Sequence, residues 1–229
     1  VGKHLNEMQY YLFIIDDSGA IEEIDYKKID GKVVAICKMY DDIDFNKLND
    51  ILHSTNEYII NEKALNIFKE SNTIDYKLGK AKVLRKEKLF GLFKKNNSYE
   101  YFDLTFPDEN ASDCYDWIDF EKSEIFVTDE NGEKFKIKSH RNELDLISEN
   151  KLDSTKSYSF ETKKVVFNKK FDSNIDLFKI PHYSWGIYVS ERLKNKLENA
   201  KITDIRFAEN KEELGKMWKP HFPIIEFEK

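Results

Sequence analysis

Residues able to do chemistry are plentiful in this 229-residue chain, but few stand at the spacings that chemistry requires. Besides His4, the histidines are His53, His140, His182 and His221. None falls into HExxH, HxH or CxxC spacing, so no local zinc site is expected. Cys37 and Cys114 cannot build a disulfide framework and read as two small buried thiols. His182-Tyr183-Ser184 sets a base beside a hydroxyl, yet no GxSxG elbow exists to present a nucleophile. There is no GxxxxGKS/T and no GxGxxG, and eight glycines leave little material for a phosphate cradle. Asp41-Asp42-Ile43-Asp44 lacks the glycine and distal glutamate of a calcium loop and reads as a solvated loop. The expectation is therefore no catalytic residue, no metal ligand and no cofactor.

Charge distribution says more. From Asp103 to Glu130 there are ten carboxylates against the single base Lys122. Phe102, Phe106, Tyr115, Trp117 and Phe120 are interleaved with them. Aromatic anchors among carboxylates suit docking onto a basic protein, the charges steering encounter and the rings supplying desolvated contact. The residues expected to touch such a partner are Asp113, Asp116, Trp117, Asp119 and Glu121. At least half of the rings are expected to serve the core instead. From Lys77 to Lys95 the polarity reverses, with eight bases against Glu87 alone. That stretch could bind nucleic acid, face solvent along a strand, or pair with the acidic segment. The net charge of −6 argues against general nucleic-acid binding, which needs a basic surface to displace counterions.

The elements that would hold these residues begin with an apolar strand at residues 8–15, ended by Asp16-Asp17-Ser18-Gly19. A second apolar run covers 32–38, and a short helix is expected over Asp44 to Leu52. Asn96-Asn97-Ser98 and Asp129-Glu130-Asn131-Gly132 read as hairpin turns, the second with a return strand from Phe135 to Lys138. Residues 140–152 are expected to be helical, and two strands are expected within 158–180. One pattern occurs twice at a constant offset. Tyr58-Ile59-Ile60, the cap Asn61 and a helix lead to a strand after Asp75; Tyr188-Val189, the cap Ser190 and a helix lead to a strand near Ile205. The tail with Trp218, Pro220, Phe222 and Pro223 is expected to drape over the body.

The fold expected is α+β, mostly antiparallel sheet with a few packed amphipathic helices, in two related strand-helix-strand halves. Residues 1–7 (VGKHLNE) look foreign to the rest, and Met8 is a natural start. Residues 8–229 read as a single domain, with 8–100 and 101–229 as the alternative half-domains. No apolar run approaches the roughly 20 residues needed to span a bilayer, and no signal peptide is visible. A cytoplasmic protein is expected.

Three segments resemble a bacterial polymorphic-toxin immunity protein family. Ile187-Tyr188-Val189-Ser190-Glu191-Arg192-Leu193, followed by Ile202-Thr203-Asp204-Ile205-Arg206-Phe207, is similar to its C-terminal "vSerlk...L...g..gv.F" signature. Asp176-Leu177-Phe178-Lys179-Ile180 resembles its "dlFri" step, and Asp113 to Ser123 its central "..D..D...S" segment. The resemblance implies a non-enzymatic antidote that binds the C-terminal domain of a cognate toxin, a basic one to judge by the carboxylates, with no small-molecule substrate. Glu191 and Arg192 read as structural, being in the first helical turn. Two other readings stand beside it: a hydrolase with a cleft between the halves, and a nucleic-acid module built on residues 77–95.

Overall fold

The computed structural model describes residues 9–15, 21–39, 48–53, 58–89, 93–106, 112–140, 147–184, 186–209 and 222–228, the side chains of 86–89, 93–96 and 112–113 excepted. The expectations for 1–7, Asp41–Asp44, Trp218, Pro220 and His221 lie outside these residues. The fold is α+β, with mixed but mostly antiparallel sheets and short helices. Two compact units are present. One comprises Val1–Phe13, Asp108–Glu191 and Phe207–Lys229; the other comprises Ile14–Pro107 and Arg192–Arg206.

The second of these units carries a six-stranded sheet. Its elements are β2 (Ile21–Ile29), β3 (Lys32–Met39), β4 (Ile51–His53), β5 (Tyr58–Ile60), α1 (Glu62–Lys69), β6 (Lys77–Leu89) and β7 (Phe93–Thr105), and the strand order is β2-β3-β6-β7-β5-β4. β2 alternates charge with apolar residues and so shows no apolar run. Its signal is Asp30-Gly31, whose φ values of 48° and 79° form the left-handed two-residue turn of a tight hairpin. β3 and β6 run parallel, with Ala35 opposite Ala81 and Cys37 opposite Val83. These four residues join Met39, Leu52, Ile59 and Tyr101 in one apolar cluster on the sheet.

Two sequence expectations fail in this unit. Ile51 and Leu52 belong to β4 rather than a helix, pairing with Ile60 and Ile59. Both are almost fully buried although they point to opposite faces, an arrangement that a strand covered on both sides provides. The β6–β7 ladder continues to Leu89 opposite Phe93, so Asn96-Asn97-Ser98 lies within a strand and is not the turn. Helix α1 matches its signals. Asn61 accepts from the Ala64 N–H at 3.0 Å, Glu62 occupies the first turn, and Ala64, Leu65 and Phe68 are buried.

The other unit holds two four-stranded sheets. Its elements are β1 (Tyr10–Ile15), α2 (Ser112–Asp116), β8 (Glu124–Asp129), β9 (Lys134–Lys136), β10 (Tyr158–Phe167), β11 (Leu177–Lys179), β12 (Ile187–Ser190), β13 (Ile205–Ala208) and β14 (Ile224–Phe227). Strand β1 runs on past the end of this unit, and β13 begins before it resumes. The sheet orders are β11-β12-β1-β13 and β14-β10-β8-β9. Tyr10, Phe167, Phe171, Phe178 and Phe227 pack ring against ring with centroids 4.7–5.7 Å apart. The expected hairpin forms between β8 and β9, with Gly132 at φ 82°. Of the helix expected over 140–152, a helical turn is present at 147–149, and 141–146 lie outside the described residues. The tail does more than drape: Ile224–Phe227 adds a parallel strand to β10. Its Phe222 lies so close to Gly186 that a Cβ there would sit 2.6 Å from the ring.

Helix α3 (Glu191–Asn199) follows β12, as the second pattern predicts. The two patterns share a local topology. In one, β5 and β6 flank β7; in the other, β12 and β13 flank β1.

Asp50 ties the loops of the six-stranded unit together. Its carboxylate accepts from Asn61 Nδ2 at 2.6 Å, Lys63 Nζ at 3.0 Å and the Thr203 N–H at 3.0 Å. Burial pulls its pKa up, but these donors outweigh burial and hold it below the usual carboxylate value. Replacing Asp50 by Ala strands the Asn61 amide and the Thr203 N–H. The expected loss is about 2–3 kcal/mol in urea unfolding at neutral pH. The charge-dependent part of the wild-type advantage is complete above the unfolded value of 3.8 and is lost as pH falls through the lowered folded value.

Candidate functional site

The acidic-aromatic segment begins in α2 and is stitched to the end of β10. Ile118 bridges Phe167, the Asp119 N–H donates to Val166 O at 2.8 Å, and the Asn168 N–H donates to Trp117 O at 2.7 Å. Asn168 Nδ2 reaches Asp116 O at 2.9 Å. Ser123, fully buried, donates its hydroxyl to Asp119 O at 2.6 Å and accepts the Val166 N–H at 2.9 Å. Lys136 Nζ donates to Glu121 O at 2.8 Å. Each turn of this short irregular stretch is therefore tied by its backbone groups, which makes the segment a fixed surface.

The five predicted contact residues take different places in it. Asp116 and Glu121 are exposed, with their carbonyls engaged in the stitching. Trp117 is half-buried and stands edge-on to Phe171, centroids 5.4 Å apart. Asp119 works locally, accepting from the Lys122 N–H at 3.0 Å and pairing with Lys122 Nζ at 3.1 Å. Burial would raise its pKa, but the two Lys122 donors hold it below the usual carboxylate value. Lys122 in turn hydrogen-bonds Glu228, which with Asp119 raises its pKa. Asp113 lies in α2, and its side chain is outside those described. Of the five interleaved rings, those of Phe106 and Tyr115 are buried and the other three are half-buried.

Beneath the segment lies a group that sequence spacing could not reveal. Tyr115 stacks on His140 at 4.3 Å, and Phe160 lies nearly parallel to that imidazole at 6.1 Å. Tyr183 meets Tyr115, His140 and Phe160 edge-on and hydrogen-bonds His140 Nδ1. His182, exposed and held at φ 64°, shares a 2.6 Å hydrogen bond between its Nδ1 and the Tyr115 hydroxyl. The contributors span Tyr115 to Tyr183, so no local motif joins them. The signals were the adjacent His182-Tyr183, which supplies two of its members, and the composition of that half of the chain, rich in rings. His182 and Tyr115 offer a proton donor and acceptor pair, whereas His140 is sealed. Burial, aided by neighbouring His182, pushes the His140 pKa down to about 4.

Other candidates are dispersed. In the basic stretch, Lys80 and Lys82 lie on one face of β6 and Lys77 and Arg85 on the other, by strand alternation. Lys82 also pairs with Glu100 at 3.4 Å. Among the described residues no group of three or more His, Cys, Asp or Glu is arranged to hold a metal, and no helix is long and apolar enough to cross a membrane. No protein-family model matches the chain, and no curated protein matches it in sequence.

Two of the three segments that carry the sequence resemblance meet in the fold. Ser190 donates its hydroxyl to Asp176 Oδ1 at 2.6 Å and its N–H to Asp176 O at 2.8 Å, while β11 and β12 pair alongside. The "dlFri"-like and "vSer"-like steps are thus two sides of one buried polar joint.

His140 sets a pH limit on this unit. A base with a folded pKa near 4 and an unfolded pKa of 6.5 leaves the native state unprotonated while the unfolded chain gains a proton. Stability should be full above pH ~6.5 and fall progressively towards pH ~4. Denaturant midpoints measured across that range should lose this slope in the double variant His140→Phe/Tyr183→Phe, which keeps the stack and removes both polar atoms. An unchanged slope would mean that another group titrates there.

Proposed function

We propose that this chain is an immunity protein, a non-enzymatic antidote that binds a cognate toxin domain and blocks it. The observation that carries the reading is the stitched segment from α2 to Ser123. It offers the Asp116 and Glu121 carboxylates and part of the Trp117 ring from a backbone already fixed, so little ordering entropy is lost on docking. Carboxylates on a rigid surface favour a basic partner and fast encounter. The motif resemblance supports the same reading, since its residues form the Asp176–Ser190 joint and the Asp119–Ser123 turn. On this reading those motif residues build the scaffold, and the exposed positions between them select the toxin.

The test is co-expression with the C-terminal domain of a toxin encoded by a neighbouring gene. Growth rescue and a one-to-one complex on sizing are expected; neither appearing would remove the reading for that pair. Within such a complex, Asp116→Lys/Glu121→Lys should slow association by roughly 10-fold or more and flatten its salt dependence. Reversal at Asp119 is a poor probe, because it would also break the Lys122 turn.

A hydrolase reading draws on the His182–Tyr115 pair. His182→Ala separates the two: an antidote should still rescue growth, whereas an enzyme would fold normally and lose rescue.

A further inference from the structure

We propose that the outer edge of β2 pairs with the same strand of a second copy of this chain, antiparallel and centred on Tyr26. Strand β2 ends the six-stranded sheet, with β3 its one strand neighbour among the described residues. Of nine residues, Glu22, Glu23 and Tyr26 to Ile29 are exposed, and Ile24 and Asp25 are half-buried. Three of the five large apolar side chains left exposed among the described residues, Tyr26, Ile29 and Val33, sit on the β2–β3 hairpin. A long strand at the end of a sheet that also exposes apolar side chains is a template for another strand.

Charge selects the occupant and the register. The strand is acidic in its first half, at Glu22, Glu23 and Asp25, and basic in its second, at Lys27 and Lys28. Lysines on an edge ordinarily repel a second strand. Here Lys27 is matched by Asp25 at its mirror-image position about Tyr26, and Lys28 by the uncharged Ile24, so the centre of the strand complements itself when reversed. In-register parallel pairing would set every charge against its like.

In an antiparallel dimer with the two-fold axis normal to the sheet, side chains of one face meet those of the same face. The axis must then run between two copies of one residue. Centred on Ile24, Glu23 would face Asp25. Centred on Asp25 or on Lys27, that residue would face itself. Centred on Tyr26, Asp25 faces Lys27 of the other copy and Lys27 faces its Asp25, with no like charges opposed from Glu23 to Ile29. Within one chain Asp25 and Lys27 already sit 3.4 Å apart on one face, so the four groups form a closed square of alternating sign. Glu23 is held by Lys38 on the neighbouring strand and stays clear of that square. The Tyr26 hydroxyl donates to Asp103 at 3.2 Å, so its ring leans inward, away from the axis. The β-bulge on this strand falls between Ile21 and Glu23, outside the central register.

The full chain should show a concentration-dependent dimer by light scattering and sedimentation. Asp25→Lys should weaken it by roughly 10-fold or more, because a lysine at position 25 would face Lys27 of the other copy. The swap Asp25→Lys/Lys27→Asp should restore it. Independently, Tyr26→Cys should cross-link under mild oxidation and Lys28→Cys should not, since position 28 faces position 24. The two native thiols are buried. A monomer at every concentration, a dimer indifferent to Asp25→Lys, loss without restoration by the swap, or cross-linking at 28 rather than 26 would each overturn the proposal. None of these measurements needs a toxin, so the outcome is independent of the antidote reading.

Discussion

A carboxylate taken out of water must find donors for its lone pairs, and much of this structure is arranged around meeting that demand. Asp50 draws Asn61, Lys63 and Thr203 to itself. Asp129 gathers the Asn131 and Glu133 N–H groups and Lys156, whose hydrogen bond is the main reason its pKa drops to about 2. The Asp176 carboxylate accepts the Ser190 hydroxyl, while the Asp176 main-chain carbonyl takes the Ser190 N–H. In each case the donors come from a turn or an element end, where backbone groups lack ladder partners. These aspartates therefore act as fasteners for segments that regular secondary structure cannot hold.

That use of acid bears on the candidate surface. Counting charges along Asp103–Glu130 treats ten carboxylates alike, but the fold sorts them. Asp103 and Asp129 are buried and Asp119 is committed to Lys122, leaving Asp116, Glu121, Glu124 and Glu130 exposed among those whose side chains are described. The surviving field is weaker than the sequence suggests and more sharply placed. Aromatic residues are sorted in the same way. Tyr115 turns inward to cover His140, while Trp117 keeps part of its ring at the surface.

Where a local signal had one physical cause, it was legible in the sequence. Asn61 before Glu62 marked a helix start, Asn131-Gly132 marked a hairpin, and Val165-Val166-Phe167 marked a buried strand. The failures came where two causes give one pattern. Leu48, Ile51 and Leu52 have helical spacing, yet two of them are strand residues buried on opposite faces. Asn96-Asn97-Ser98 has turn composition but sits in a long ladder whose cross-strand pairs override it. Strand β2 was hidden because an edge strand need not be apolar, although Asp30-Gly31 announced it. The stack of Tyr115, His140, Phe160 and Tyr183 was illegible for a different reason: its members meet only after β10 and the loop following β11 are in place.

The sheet that holds β1 carries a cost in time. Tyr10 to Phe13 pair with residues Ser190 to Ile187, and β13, the neighbour of β1 on its other side, is made later still. At ordinary rates of synthesis, roughly 10–40 s separate the two ends of that pairing. Throughout that interval the run Tyr-Tyr-Leu-Phe-Ile-Ile has no β12 to close upon. A nascent chain that must shelter six consecutive apolar residues until its last third has emerged is a natural client for holding chaperones, and its yield would depend on how quickly translation finishes.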